Sequence, residues 1–118
     1  MTDQASVAIK RINPLELGVP PGYSQVVEVR GGRIIFIAGQ TALDRNGEVV
    51  GKVAQQAAQV FENLAIALQS VGYTAANLIK LTVFLRNMDD LSAYREARNR
   101  FFATVTPPAG PAVTLVEV

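Results

Sequence analysis

The sequence predicts a single domain of the α/β class, more closely α+β, in which two helices pack on one face of a mixed β-sheet. Three observations lead to this prediction. Apolar runs that suit strands recur along the chain, two segments repeat their apolar residues at helical spacing, and turns rich in Gly and Pro separate them. The expected order is β, ββ, α, β, α, β, and residues 1–118 leave little room for a second domain.

The first part of the chain contains a predicted strand and a predicted hairpin. Val7–Ile12 places β-branched residues two apart and stops at a turn signal, as a short strand does. Tyr23–Arg30 and Arg33–Ala38 are separated only by Gly31 and Gly32, a dipeptide that suits a two-residue hairpin turn. Because residues 34–38 are apolar at every position, we expect a central strand that is covered on both faces.

A predicted helix occupies the middle of the chain. The turn Asp44–Glu48 precedes it, and the apolar period becomes helical from Lys52 onward. Gly72 stands where the end of a helix favours a residue in the left-handed conformation. The next run, Leu78–Leu85, again has apolar residues at both strand faces, so we expect a further strand.

A second helix should begin after Asp89 or Asp90, because a carboxylate there would accept the free amides of the first turn. Its expected inner face consists of Leu91, Tyr94, Phe101 and Phe102. The residues expected largely outside are Arg95, Glu96, Arg98, Asn99 and Arg100. Ala112–Val118 is the last predicted strand.

The sheet face opposite the helices has no internal cover in this arrangement. It would carry Ile, Val and Phe side chains, and contiguous exposed apolar patches of that kind mark interaction sites. We therefore expect the chain to associate with copies of itself through the sheet.

The composition excludes several classes of chemistry, because the chain contains no His and no Cys. Thiolate nucleophiles, imidazole-based triads, zinc fingers and facial iron triads all need one of these residues. The 11 basic and 10 acidic residues nearly cancel, which argues against binding to nucleic acid or to an anionic membrane. No basic leader and no apolar run of ~20 residues is present, so we expect a cytoplasmic protein. Without His and Cys, we also expect no metal site.

The sequence contains few candidate side chains for binding or catalysis. The carboxylates occur in turns, where a solvated structural use explains them, and residues 47–52 lack the spacing of a phosphate-binding P-loop. Tyr23 follows Pro-Pro-Gly, and its phenol either projects into a cleft or packs on that loop. Arg95 either reaches a ligand or remains a solvated charge on the second helix.

Four segments in a fixed order give the sequence a specific resemblance. They are FIAGQ at 36–40, NGEVVG at 46–51, TVFLRNMDD at 82–90 and VEV at 116–118. From Tyr23 to Val118 the chain resembles the RidA (YjgF) family, also labelled endoribonuclease L-PSP. The resemblance implies a chorismate-mutase-like subunit, a homotrimer with a small-ligand pocket at each subunit interface, and no cofactor. It further implies hydrolysis of 2-enamino and 2-imino acids to 2-keto acids and ammonia.

The resemblance breaks down at the residue that binds the substrate. The family's deaminases hold the substrate carboxylate with an arginine in a Pro-Ala-Arg-Ser-Cys-Val-Glu-Val strand. Aligned on that strand, Val113 stands at the arginine, Thr114 at the serine and Leu115 at the cysteine. Arginine binds a carboxylate through two charge-assisted hydrogen bonds, whereas valine has no donor.

Further positions of the family's pocket are partly kept. Tyr23 and Gly39 match, whereas Ala38 replaces a serine that many members have and Arg95 replaces an asparagine. The expected ligand-binding residues are therefore Tyr23, Ala38, Gly39, Arg95, Val113 and Leu115. A pocket lined by these aliphatic side chains should favour a less charged ligand. Family members usually continue with a final strand that bears a glutamate. That strand is missing either from the protein or only from this sequence, and in both cases no residue among positions 1–118 takes the role of the glutamate.

Two functions follow from the resemblance. The first is a trimeric protein that binds a small metabolite at subunit interfaces without arginine-dependent deaminase activity. The second is a hydrolase of imines or enamines, similar to 2-iminobutanoate/2-iminopropanoate deaminases, in which another anchor such as Arg95 binds the anion. A ribonuclease is less favoured because the chain has no His and no basic stripe.

Overall fold

The computed structural model describes residues 8–106 and 110–118 and confirms the α+β class. Short 3₁₀ turns lie at Leu15–Leu17, Ala75–Asn77 and Met88–Asp90. The helices and strands, in chain order, are β1 (Ala8–Ile12), β2 (Val26–Arg30), α1 (Val53–Ser70), β3 (Lys80–Leu85), α2 (Leu91–Phe102) and β4 (Ala112–Glu117).

The described strands form two separate two-stranded sheets instead of the single mixed sheet that we expected. β1 and β2 are antiparallel, with Ala8 opposite Arg30. β3 and β4 are parallel, with Lys80 opposite Ala112. The described chain therefore contains both the antiparallel and the parallel pairing of a mixed sheet, but no strand joins the two pairs.

The joining strand was expected at Arg33–Ala38, and this expectation is wrong for the single chain, because these residues form no strand. Gly31 and Gly32 do adopt φ values of 72° and 80°, as a primed hairpin turn requires. Ile37 packs against the core, but Phe36 is 93% exposed. Strands are stabilised by the packing of their side chains, and the described chain places no layer over Phe36.

α1 begins and ends where the sequence predicts. Its N-terminus follows Lys52, whose backbone N–H donates to Gln55 Oε1 at 2.9 Å. At its C-terminus Gly72 has a φ of 79° and donates its N–H to the carbonyl oxygen of Gln69 at 3.0 Å. The N–H of the next residue reaches Leu68 O at 2.9 Å, which completes a Schellman motif. Neither helix of the described residues has both the length and the apolarity that a membrane span requires.

The expected cap of α2 is wrong. Asp90 precedes the helix but makes no capping hydrogen bond through its side chain, and the cap comes instead from Asn87, whose Oδ1 accepts from the N–H of Asp89 at 2.9 Å. The chain enters α2 through the 3₁₀ turn Met88–Asp90, so the first free amides lie earlier than a helix starting at Leu91 would place them.

The core lies between the two helices and the sheet formed by β3 and β4. Its buried residues are Phe61 and Leu68 of α1, Ala75, and Tyr94, Phe101 and Phe102 of α2. One face of the sheet packs on this cluster through Leu81, Val83, Leu85 and Leu115. On the other face Phe84 is 64% exposed, which confirms that this face has no cover within the described chain.

Candidate functional site

A cleft of about 430 Å³ opens beside Tyr23, between the β1 side of the chain and the C-terminal end of α2. This volume suits a small metabolite. The lining residues are Arg11, Asn13, Gly22, Tyr23, Ser24, Asn99, Phe102 and Gly110. Most of these side chains can form hydrogen bonds, and none carries a carboxylate.

The wall that contains Tyr23 is fixed by hydrogen bonds to the segment before β4. The N–H of Ser24 donates to Pro111 O at 2.9 Å, and Ser24 Oγ donates to the carbonyl oxygen of Gly110. A Cβ at Gly110 would stand 3.1 Å from the backbone carbon of Tyr23, so a larger residue here would require one of the two backbone segments to shift. Ser24 is buried, so this wall of the cleft packs on the interior of the described chain.

Arg11 supplies the only charge among the residues that line the cleft. Its Nη2 donates to the carbonyl oxygen of Ala76 at 2.9 Å. Its Nε is buried and has no hydrogen-bond partner among the described residues. The cleft thus contains a guanidinium whose hydrogen-bonding capacity is only partly used.

Arg98 was expected on the outer face of the second helix, and this expectation is wrong, because the residue is only 6% exposed. Its Nε and Nη2 donate to Asn99 Oδ1 at 3.2 and 3.0 Å, and its guanidinium carbon lies 5.9 Å from the centre of the Tyr94 ring. Burial lowers the pKa of Arg98. The guanidinium also lies against Gly22, where a Cβ would stand 2.5 Å from Nη2.

The position of Arg98 along the helix could have revealed its burial. Tyr94, Arg98, Phe101 and Phe102 follow the spacing of an inward-facing helical stripe. Its charge alone suggested a place on the outer face of the helix. A charged residue within an apolar stripe is the signal that identifies such a buried cation.

Arg95 is exposed on α2 and does not line the Tyr23 cleft. Ala38 and Gly39 are also exposed, in the segment that forms no strand. Of the six expected ligand-binding residues, the described chain brings only Tyr23 to this cleft.

Val113 and Leu115 lie on β4, opposite Leu81 and Val83 of β3. Both are half-buried, and Leu115 packs on the aromatic core. Neither lines the cleft beside Tyr23. The expectation of a less charged ligand rested on these aliphatic side chains, whereas five of the eight residues that line the cleft have side chains that can form hydrogen bonds.

The carboxylates of the described residues serve the fold. Asp44 Oδ1 accepts from the N–H groups of Asn46 and Glu48 at 2.8 and 3.1 Å, which confirms its expected role in a turn. Within residues 8–106 and 110–118, acidic side chains form no group of three that could hold a metal ion.

A second groove, of about 300 Å³, lies between α1 and α2. Alanines form half of its lining, and its one cation, Arg100, is already paired with Glu96. This groove offers a ligand less hydrogen bonding than the cleft beside Tyr23, so the Tyr23 cleft is the candidate site.

Comparison with known proteins identifies the family. The family model described as Endoribonuclease L-PSP matches residues 16–118. The RutC family protein slr0709 of Synechocystis is 34% identical over 116 residues, which span 95% of this chain and 88% of that protein. A 2-iminobutanoate/2-iminopropanoate deaminase of Dermatophagoides farinae is 29% identical over 102 residues, or 83% of this chain and 78% of that protein.

Solved structures agree with the sequence relatives. The crystal structure of YyfB from Yersinia pestis, described as a protein of unknown function of the conserved Rid family, has a TM-score of 0.75 and 31% identity. The alignment covers 93% of this chain and 86% of that one. Since both the family model and the fold match over most of its length, the chain belongs to the endoribonuclease L-PSP family, the family of the RidA and YjgF proteins.

Proposed function

We propose that this chain is a trimeric RidA-family protein that binds a small metabolite without arginine-dependent hydrolysis of 2-imino and 2-enamino acids. The observation that carries the proposal is Val113, which stands where the family's deaminases hold the substrate carboxylate with arginine. A carboxylate beside this half-buried valine would lose hydrogen bonds to water and gain none from the side chain.

The binding of a metabolite is supported by the cleft beside Tyr23. Its volume of about 430 Å³ fits a small molecule, and its lining includes side chains with donors and acceptors that would orient one. A relative named as a deaminase of 2-iminobutanoate and 2-iminopropanoate acts on molecules of this size. Because that relative is only 29% identical, we take from its name the size of the ligand and not the reaction.

The trimer is supported by the apolar surface of the single chain. Ile34, Phe36 and Phe84 are all exposed, and large aromatic and aliphatic groups left in water favour association. Copies of this chain are the simplest cover, because a symmetric assembly buries the same patch on every subunit.

Hydrolysis through another anion anchor is the competing function. Arg95 was the expected anchor, and it is exposed outside the cleft. Arg11 does line the cleft together with Tyr23, so a test must separate binding of an anion from turnover.

A coupled assay with enzymatically generated 2-iminopropionate tests the proposal. We expect negligible turnover by the native protein and a measurable gain in Val113→Arg, with Val113→Met as the control for side-chain size. Native turnover comparable to that of an arginine-bearing family member would contradict the proposal. If Arg95→Ala then abolished this turnover, the competing function with Arg95 as anchor would be the correct one.

A further inference from the structure

We propose that the cleft beside Tyr23 takes a compact anion, a carboxylate or a phosphate, and that Arg98 and Arg11 supply the positive charge that holds it. The inference rests on the proposed function, because it names the chemistry of the metabolite that this cleft binds. The positive charges would then come from Arg11 on β1 and Arg98 on α2, whereas the family's arginine position, Val113, lies on β4.

The first observation is a buried guanidinium with no negative partner among the described residues. Arg98 is 6% exposed, and its hydrogen bonds within residues 8–106 and 110–118 go only to Asn99 Oδ1. Both ion pairs of this part of the chain, Arg30–Glu28 and Arg100–Glu96, leave Arg98 out. A guanidinium has five N–H donors, so most of its hydrogen-bonding capacity is unused by these residues.

A buried cation without a counter-ion is unfavourable, because the hydrogen bonds of Arg98 to Asn99 and its contact with the Tyr94 ring replace only part of the hydration lost on burial. Tyr94, whose ring lies under the guanidinium, is not the missing counter-ion. Burial raises the pKa of Tyr94, so its phenol is neutral at pH 7. An anion that enters from outside would relieve the cost of burying Arg98.

The second observation is that Arg98 lies directly behind the cleft. Two lining residues, Gly22 and Asn99, contact its guanidinium. Asn99 Oδ1 accepts from Arg98, so this lining residue connects the cleft to the buried guanidinium.

The third observation is the charge of the cleft itself. Arg11 lines it, the buried Nε of Arg11 has no partner among the described residues, and no lining residue is acidic. Two cations therefore act on one small cleft. In a site partly removed from water such charges favour an anion more strongly than the same charges would on an exposed surface.

Binding titrations followed by amide NMR test the inference. The probes are pyruvate for a carboxylate, inorganic phosphate for a phosphate, and methyl pyruvate as a neutral analogue of the same shape. We expect pyruvate or phosphate to shift the amides of Gly22, Tyr23 and Asn99, and methyl pyruvate to bind at least about tenfold more weakly. Whichever of pyruvate and phosphate binds more tightly shows whether the natural ligand carries a carboxylate or a phosphate.

Binding measurements on variants show which arginines supply the positive charge for the anion. Removing a cation beside an anion in a partly buried site weakens binding by about tenfold or more, so Arg98→Met and Arg11→Met should each show a loss of at least that size. Arg95→Met, an exposed position on the same helix as Arg98, is the matched control and should bind as the native protein does. The bound anion should raise the thermal midpoint of the native protein and of Arg95→Met, but not that of Arg98→Met.

Arg98→Lys covers the case in which Arg98→Met does not fold. It keeps the charge but lacks the planar fork, so it should fold and bind the anion several-fold more weakly than the native protein. The inference is overturned if neither anion binds, if methyl pyruvate binds as well as pyruvate, or if the Arg98 variants bind like Arg95→Met. Turnover of 2-iminopropionate by the native protein would instead overturn the proposed function and leave the dependence of anion binding on Arg98 in place.

Discussion

Arg98 packs so closely on Gly22 that a Cβ on the glycine would stand 2.5 Å from Nη2 of the arginine. Gly22 also has a φ of 82°, in the region that side chains rarely adopt. The backbone conformation therefore favours glycine at this position, and any side chain here would also displace the guanidinium end of Arg98. The contact joins the loop before β2 to α2 and fixes one wall of the cleft beside Tyr23.

Gly22→Ala should destabilise the protein for both reasons. The left-handed backbone costs about 1–2 kcal/mol for a residue with a Cβ, and the guanidinium of Arg98 must also move away from the new Cβ. Gly47→Ala is the matched control, because Gly47 has a φ of 77° but open space around its Cβ position. Urea unfolding should show the larger loss at Gly22, and the difference should disappear in an Arg98→Ala background. Equal losses at Gly22 and Gly47 would mean that the contact with Arg98 does not constrain the loop.

Tyr94→Phe and Tyr73→Phe remove the same oxygen from two different settings. Tyr94 Oη is buried without a hydrogen-bond partner among the described residues, so its loss should leave the free energy of unfolding unchanged or slightly higher. Tyr73 Oη donates to the carbonyl oxygen of Arg33 at 3.0 Å, so its loss should cost about 1 kcal/mol. Denaturant unfolding at pH 7 measures both, and a larger loss at Tyr94 than at Tyr73 would contradict this prediction.

The buried phenol of Tyr94 should also make the free energy of unfolding depend on pH. Burial raises the pKa of Tyr94 above its ordinary value of 10.0, while Arg98 and then Arg95 partly oppose the shift. Above that value the unfolded chain releases the phenol proton more readily than the folded chain does. Its contribution to stability is therefore complete below about pH 10 and is lost as the pH rises through the folded pKa. Unfolding measured from about pH 8 to about pH 11 should show a smaller decline in Tyr94→Phe than in the native protein.

The core between the helices should be sensitive to truncation on one side of α1 only. Leu68 is 4% exposed, so Leu68→Ala should cost about 2–5 kcal/mol. Ile66, on the same helix, is 59% exposed, and Ile66→Ala should cost less than about 1 kcal/mol. Thermal or urea unfolding of the two variants provides the comparison, and similar losses would place the core elsewhere.

The proposed trimer predicts that Phe36→Asp weakens self-association. A charge in place of this exposed aromatic group would be desolvated when subunits associate. Sedimentation velocity should show a trimer for the native protein and smaller species for Phe36→Asp. Ile66→Asp, at an exposed apolar position on α1, should remain trimeric. A monomeric native protein, or an unchanged Phe36→Asp, would contradict the proposed assembly.

Local patterns were enough to predict the helices. The apolar period of α1 and the left-handed Gly72 at its end are short-range features, and the structure follows them. The strand at Arg33–Ala38 could not be judged in the same way. Its side chains need a cover that no described residue gives to Phe36, and whether such a cover exists depends on contacts outside the segment.

The candidate site was only partly predictable for the same physical reason. For Tyr23 the sequence left open whether the phenol projects into a cleft or packs on the Pro-Pro-Gly loop, and in the structure the residue lines a cleft. Arg11 and Gly110 reach that cleft through tertiary contacts that no spacing along the chain encodes. Arg98 was missed because its charge was given more weight than its position in the apolar stripe of α2.

The release of ammonia from 2-iminopropionate, measured with and without the native protein, tests the central claim most directly. With Val113 at the position of the family's carboxylate-binding arginine, we expect the rate with the protein to equal the uncatalysed rate. A rate that rises in proportion to the concentration of native protein, and disappears after its denaturation, would contradict this account.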